Sequence, residues 1–167
     1  MSCPPTQHPR LTTIQGAHSL TITPNVVTAS DGAGVVQSVG PKVQTFQSGD
    51  KVCTYMVPQK PETEPVTFAD VSTGLGQQVD GTLRPFGVFH ETALVKMPSS
   101  LSFIEASTLT CAGLTAWNAL FGLESRAPKK GDVVLVQGTG GVSVIALQVR
   151  FTHQPLFPLI DKVLTLS

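Results

Sequence analysis

A strand, a glycine-rich turn and the start of a helix follow one another in Gly131-Asp132-Val133-Val134-Leu135-Val136-Gln137-Gly138-Thr139-Gly140-Gly141-Val142-Ser143-Val144-Ile145-Ala146-Leu147-Gln148. The apolar run that begins at Val133 has the length and the β-branched content of a strand covered on both faces. Its glycines allow a tight turn and a close approach of a ligand, and free N–H groups begin the following helix. This order predicts the first strand, turn and helix of a dinucleotide-binding unit, which holds a pyrophosphate at the helix start.

One position of this turn departs from the usual dinucleotide-binding pattern. Ser143 stands where a glycine or an alanine is usual, so that the helix and the strand pack closely. Serine is small enough to fit there. A G-x-G-x-x-S turn taken alone also fits a plain connection between a strand and a helix, and the surrounding sequence must decide between the two.

Length and composition indicate a globular chain. Its 167 residues, 41% of them hydrophobic, suffice for one domain or for a large domain with part of a second. Eleven basic residues balance eleven acidic ones, which disfavours nucleic acid and anionic membranes as partners. No apolar run approaches a membrane span and the N-terminal residues lack a signal-peptide pattern, so we expect a cytoplasmic location.

The sulfur and imidazole side chains form no recognisable metal-binding or disulfide pattern. The three cysteines and four histidines are scattered as Cys3, Cys53, Cys111, His8, His18, His90 and His153. Neither a C-x-x-C pair nor an H-E-x-x-H motif occurs. We therefore expect neither a disulfide framework nor a metal site, and we expect Cys53 to be a buried free thiol.

The N-terminal half of the chain has the pattern of a small antiparallel barrel. Short strand-like runs separated by glycine turns are Val35–Val39, Lys42–Phe46, Lys51–Val57 and, further on, Leu83–Met97. Such regular punctuation is typical of a curved sheet in which glycines serve bulges and corners. Between these runs, Pro58 to Gly81 shows no clear period and is predicted to be an unusually long loop.

A helical region follows the predicted barrel. Ser102 and Glu105 have the spacing of a capping box, which predicts a helix start at this point. Apolar residues then recur at intervals of three to five as Ala106, Leu109, Leu114, Trp117, Leu120 and Phe121. Because Gly113 interrupts this stripe, we expect two consecutive helical pieces, with Trp117 in the core.

Three stretches together resemble the medium-chain dehydrogenase/reductase superfamily, which includes alcohol dehydrogenases and quinone reductases. The stretch from Ser30 to Val52 is similar to that family's catalytic-domain core, Leu101 to Leu120 to its interdomain helices, and Gly131 to Ser143 to its cofactor turn. The resemblance covers about residues 20 to 149. The three stretches occur in the same order as in the family, which is more specific than any one motif. Within the superfamily, they are most similar to NAD(P)-dependent members that lack zinc.

The resemblance implies a mixed α/β fold. Residues 1–100 would form a partial GroES-like β-barrel, the catalytic domain. Residues 101–167 would supply the interdomain helices and a truncated Rossmann nucleotide-binding domain, of which only the first strand, turn and helix are recognisable.

The resemblance also argues against zinc. Zinc-containing members have a histidine ligand in a Gly-His-Glu motif, where this chain has Ser30. A serine hydroxyl is a poor substitute for imidazole as a zinc ligand. Cys111 falls where those relatives have a cysteine ligand, but no first cysteine ligand can be identified upstream. We therefore expect no metal, and we expect Cys111 to be a small buried thiol.

The activity that the resemblance implies is hydride transfer between NAD(P)H and a small carbonyl or enone substrate. Its cofactor-binding residues would be Thr115, near the nicotinamide, and the turn residues Gly138, Gly140, Gly141, Val142 and Ser143. Thr115 also fits a plain helix threonine bonded to its own backbone. No residue stands out as an acid or a base, so the catalytic residues are unknown.

A second interpretation is a truncated, catalytically inactive remnant or an interaction module. The likeness ends near Gln148 to Arg150, and the chain looks cut at both ends. Asp161 lies near the distance expected for a ribose-binding carboxylate, but the stretch before it is a poor strand. A lone strand and helix would expose apolar faces, so a homo-oligomer or a partner chain is a further expectation.

Overall fold

A computed structural model describes residues 22–58, 64–129, 132–152 and 162–166. Its backbone contacts group the chain into two units, Met1–Thr110 and Cys111–Ser167, which are described separately below. The boundary between the units lies inside the predicted interdomain helices. The predicted division into domains at residues 100 and 101 stays a prediction.

The first unit contains an open antiparallel sheet of three short strands, β1 (Ala33–Val35), β2 (Lys51–Thr54) and β3 (Leu94–Lys96), in the order β1-β2-β3. Ala33 lies opposite Cys53, and Cys53 lies opposite Val95. Residues that pair across an antiparallel sheet share a face, so these three side chains lie on one side of it. The mixed α/β class is confirmed.

The core of the first unit lies on that side of the sheet. Buried Cys53, Met97 and Ala106 form its centre, with Ala33 and Leu101 packed against them. Cys53 is only 2% exposed, as predicted, and its Sγ lies 3.7 Å from the carbonyl oxygen of Ala106. Burial raises the pKa of the Cys53 thiol because the thiolate would lose its hydration.

Two predictions for this half of the chain were wrong in detail. Lys42 to Phe46 forms no strand, although Phe46 is buried. The predicted strand region Leu83–Met97 is reduced to β3, preceded by a turn of 3-10 helix at Glu91–Ala93. Pro85 and Gly87 explain part of this loss, because neither residue suits the interior of a paired strand.

The predicted long loop contains a short helix, α1 (Phe68–Ser72). Thr67 caps it, and the Asp70 side chain accepts the Thr67 backbone N–H at 2.7 Å. This reciprocal pair is a capping box built on aspartate in place of glutamate. The spacing of Thr67 and Asp70 is visible in the sequence, but the nearby prolines favoured the prediction of a loop.

The predicted helix start at Ser102 is confirmed. Helix α2 (Phe103–Ala106) begins there, with the Ser102 hydroxyl and backbone N–H both donating to Glu105 Oε2, at 2.7 and 2.8 Å. A single turn of π-helix (Leu109–Gly113) follows and leads into α3 (Leu114–Phe121). The two helical pieces expected around Gly113 are therefore present.

The second unit contains β4 (Val133–Gln137), α4 (Gly141–Thr152) and β5 (Lys162–Leu166), together with α3. Strands β4 and β5 are parallel, with Val133 opposite Lys162 and Gln137 opposite Leu166. Ala116 and Leu120 of α3, Val136 of β4 and Ala146 of α4 form one buried cluster. Both helices therefore pack on the same side of β4.

Three expectations for the second unit were wrong. Val133 and Leu135 are 55% and 57% exposed, so β4 is covered on one face and not on two. Trp117, expected in the core, is 39% exposed and packs against Phe121 in a tilted arrangement, with ring centroids 4.9 Å apart. Cys111 is exposed, not buried. On α3 the buried stripe is Ala116 and Leu120, and Trp117 is one residue beyond it.

None of the helices in the described ranges combines the length and the apolar content needed to cross a lipid bilayer.

The Ser102–Glu105 pair predicts a dependence of stability on pH. The bond from the Ser102 hydroxyl, and then the bond from its backbone N–H, lower the pKa of the exposed Glu105 carboxyl. A carboxyl with a lowered pKa in the folded state contributes stability above its ordinary value of 4.5, and this contribution is lost as the pH falls through the lowered pKa. We expect Glu105→Gln to destabilise the chain at neutral pH and to match the wild type in strong acid, as measured by urea unfolding.

The matched control is Glu124→Gln. Glu124 is an exposed residue in the first turn of a 3-10 helix whose N-cap residue, Leu123, makes no side-chain cap bond. A loss of stability that is equal for both variants, or that does not depend on pH, would contradict the role assigned to Glu105.

Candidate functional site

The turn between β4 and α4 depends on the backbone conformation of Gly138. Its φ angle is +78°, in the left-handed region that residues with a Cβ rarely adopt. Gly140 has a different role, because no atom lies within 4 Å of the position that its Cβ would occupy. The space beside Gly140 is open to a ligand that approaches the backbone.

The start of α4 presents backbone donors. The Val144 N–H donates to the Gly140 carbonyl at 3.0 Å, which is the first bond of the helix. The N–H groups of Gly141, Val142 and Ser143 precede that bond, so they have no acceptor within the helix. Because α4 has 12 residues, its dipole adds a partial positive charge at this end. An anionic group such as a pyrophosphate suits these donors.

The Ser143 side chain stabilises the turn with a hydrogen bond. Its hydroxyl donates to the Gln137 carbonyl at 3.0 Å, which links the end of β4 to the first turn of α4. The small serine side chain therefore fits where the usual pattern has glycine or alanine, and it adds a hydrogen bond there. Ser143 contributes its backbone N–H to the candidate site, while its hydroxyl serves the turn.

The π-helical turn packs against the start of α4. A Cβ on Gly141 would lie 3.2 Å from the Cβ of Ala112, closer than most contacts between such atoms. Glycine at this position therefore lets the helix approach the chain segment that leads into α3. A turn of π-helix is uncommon and occurs often at functional sites.

Thr115 lies three residues after Ala112, in the first turn of α3, and is exposed. Its hydroxyl donates to no backbone carbonyl among the described residues, unlike the hydroxyls of Ser107 and Thr108, which bond to carbonyls three residues before them. The interpretation of Thr115 as a helix threonine bonded to its own backbone is thus not supported. The same unit contains Thr115 and all five predicted turn residues.

The Ser30 segment in the first unit is fixed through its backbone. The Thr54 hydroxyl donates to the Ser30 carbonyl at 2.6 Å, and the Thr82 hydroxyl donates to the Asp31 carbonyl at 2.7 Å. The Ser30 hydroxyl itself donates to Asp31 Oδ1 at 2.8 Å. Ser30 thus has a hydrogen-bonded hydroxyl next to a carboxylate and contributes no nitrogen or sulfur donor.

Sequence reasoning missed the conformation of Ala29. Its φ angle of +73° is unusual for a residue with a side chain. Gly76 and Gly81 make room for it, since a Cβ on Gly76 would lie 2.8 Å from the Ala29 nitrogen and one on Gly81 would collide with the Ala29 carbonyl oxygen. These contacts join residues about fifty positions apart, so no local pattern could have revealed them.

The donor atoms for a metal ion do not converge in the part of the chain that the structure describes. Within it, no group of three or more histidine, cysteine, aspartate or glutamate side chains is placed to hold a metal. Cys111 lies in the π-helical turn and is exposed. Cys3 and Asp161, the carboxylate considered for ribose, lie outside the described residues.

Comparison with known proteins gives a consistent family. Residues 6–99 match the family model of the alcohol dehydrogenase GroES-like domain. A zinc-type alcohol dehydrogenase-like protein of Schizosaccharomyces pombe is 43% identical over 134 residues, which cover 80% of this chain and 38% of that protein. A mouse quinone oxidoreductase is 30% identical over 125 residues, covering 74% of this chain and 31% of that protein. The chain thus spans less than half of the curated relatives it matches.

Solved structures show the same fold. A Sinorhizobium meliloti protein provisionally assigned as an alcohol dehydrogenase is similar with a TM-score of 0.74 and 38% identity, over 89% of this chain and 42% of that one. An NAD-dependent alcohol dehydrogenase gives a TM-score of 0.67 and 31% identity, over 84% of this chain and 42% of that one.

The two glycines of the turn should respond differently to the same substitution. Gly138→Ala forces an alanine into the left-handed region, which costs about 1 kcal/mol, so we expect a lower free energy of unfolding. Gly140→Ala meets neither a positive φ angle nor a neighbouring atom, so its unfolding should match that of the wild type. Equal losses in urea unfolding would show that the turn does not have the described conformation.

Proposed function

Because the chain belongs to the alcohol dehydrogenase GroES-like family of the medium-chain dehydrogenase/reductase superfamily, we propose that it serves hydride transfer between NAD(P)H and a small carbonyl or enone, without zinc. The observation that carries this proposal is the turn after β4, where the N–H groups of Gly141, Val142 and Ser143 precede the first helical bond of α4. These donors fit a pyrophosphate, the part that NADH and NADPH share.

The residues of the second unit would bind and orient the cofactor. Gly138 gives the turn its path, Gly140 leaves space for close approach, and the helix start supplies hydrogen bonds to the phosphate oxygens. The exposed hydroxyl of Thr115 is the side-chain group that we assign to the nicotinamide end. The cofactor, when bound, supplies or accepts the hydride, and the protein contributes binding, orientation and electrostatics. The catalytic residues are unassigned.

Zinc independence rests on the donor atoms of this chain. The Schizosaccharomyces pombe relative is named a zinc-type protein, so family membership alone does not favour the absence of zinc. Ser30 offers a hydroxyl that is already bonded to Asp31 Oδ1, and the described residues bring no set of three donors together. Zinc sites in proteins require three or four nitrogen, sulfur or carboxylate ligands. These residues do not fit a catalytic zinc ion, and no chemical step is assigned to one.

A non-catalytic interaction module is the second candidate. The observation that favours it is the exposed face of β4, where Val133 and Leu135 are more than half exposed. Exposed apolar faces of this kind are typical of surfaces that contact another chain. Cofactor binding separates the two candidates.

We expect titration of the purified chain with NADH and NADPH to give saturable quenching of the fluorescence of Trp117, the single tryptophan, by energy transfer to the nicotinamide. Gly140→Asp should abolish this signal, because a carboxylate placed in the open space of the turn repels the pyrophosphate and blocks its approach.

Gly40→Asp is the matched control. It adds the same charge at another glycine with open space around it, but in the first unit. It should bind cofactor as the wild type does. Absence of quenching in a folded wild-type sample would overturn the cofactor proposal and favour the interaction module.

Zinc independence predicts that chelation has no effect. We expect chain purified from zinc-supplemented cells to contain far less than one zinc ion per molecule by mass spectrometry of the metal. Treatment with a chelator should leave both the thermal unfolding midpoint and cofactor binding unchanged. One tightly bound zinc ion, or unfolding at a lower temperature after chelation, would contradict the proposal.

A further inference from the structure

A cleft of about 540 Å³ opens in the first unit and is unrelated to the glycine turn. One wall is the turn Thr23–Val26, closed by a bond from the Val26 N–H to the Thr23 carbonyl at 3.2 Å, with Asn25 in the left-handed region at φ +62°. Gln78, Asp80 and Arg84 also line the cleft. The cleft is large enough for a small organic molecule.

The carboxylate in the lining is already satisfied. Asp80 Oδ1 accepts the Val27 backbone N–H at 2.9 Å, and Asp80 Oδ2 lies 3.3 Å from Arg84 Nη1. Asp80 therefore serves to join the turn to the Arg84 side chain. It fixes one terminal nitrogen of the guanidinium, Nη1, and leaves the other, Nη2, for a ligand.

Arg84 has donors that the described residues do not use. Its side chain is 23% exposed, and its guanidinium lies over the Phe89 ring, 5.4 Å from the centroid. Arg84 Nε is buried without a hydrogen-bond partner in the described part of the chain. A Cβ on Gly87 would lie 2.7 Å from this nitrogen, so glycine at position 87 leaves room for it. Because Nε is buried beside Gly87 and Phe89, the donors of Arg84 that a ligand in the cleft can reach are those of its two terminal nitrogens.

The lining combines these donors with apolar surface. The amides of Asn25 and Gln78 add N–H donors, and Val79 and Val88 add exposed methyl groups. A planar carboxylate matches the fork of N–H groups on arginine, and an apolar body attached to it would contact the valines of the lining. We propose that this cleft binds a small organic monocarboxylate, with its carboxylate on Arg84 and its apolar part on Val79 and Val88.

The test is titration of the isotope-labelled chain with benzoate, followed by nuclear magnetic resonance of the Arg84 Nε–H and of the Asn25 and Val88 amides. We expect saturable shifts of these three signals. Benzamide, which has the same shape without the charge, and acetate, which lacks the apolar body, should each bind at least about tenfold more weakly. Binding of either as tight as that of benzoate would overturn the proposal.

Two variants test the role of Arg84. Arg84→Gln removes the charge and Arg84→Lys keeps it without the fork, and both should weaken benzoate binding by about tenfold or more. Arg126→Gln, which removes an exposed arginine of the second unit, should leave binding unchanged. Undiminished binding by a folded Arg84→Gln chain, or no shifts in the wild type, would overturn the proposal. Loss of NADPH binding would not affect it, since the turn residues lie in the other unit.

Discussion

The left-handed backbone of Gly138 is the constraint on which the second unit depends. At φ +78° this residue turns the chain from the end of β4 into the start of α4. The bond from the Ser143 hydroxyl to the Gln137 carbonyl then closes the turn, and Ala146 reaches the core beside Val136. The direction of the helix N–H groups and the packing of the unit therefore follow from one backbone angle that a residue with a Cβ would adopt only under strain.

The first unit is organised by hydrogen bonds to backbone carbonyls. The Thr54 and Thr82 hydroxyls hold the carbonyls of Ser30 and Asp31 from two sides, and the Ala29 carbonyl accepts the Thr82 backbone N–H at 2.8 Å. Such bonds satisfy polar groups that a short, open sheet cannot pair by itself. They fix the backbone positions of Ser30 and Asp31 at the edge of the sheet.

The two units differ in how they expose apolar surface. In the first, Cys53, Met97 and Ala106 form a core between the sheet and α2. In the second, α3 and α4 cover one face of β4 and leave Val133 and Leu135 exposed on the other. A parallel strand normally has helices on both faces, so β4 lacks on one face the cover that is usual for such a strand. This exposed face of β4 is relevant to both candidate functions, the enzyme and the interaction module.

The sequence by itself determined the features that depend on neighbouring residues: the Ser102–Glu105 cap, the break at Gly113, the order of strand, turn and helix, and the burial of Cys53. Each follows from local hydrogen bonding, backbone freedom or side-chain polarity. Tertiary structure decided the one-sided cover of β4, the exposure of Trp117 and Cys111, the fit of Ala29 between Gly76 and Gly81, and the Asp80–Arg84 pair at the cleft. These depend on which distant segments meet, and hydrophobic periodicity reports only that a face is apolar, not what covers it.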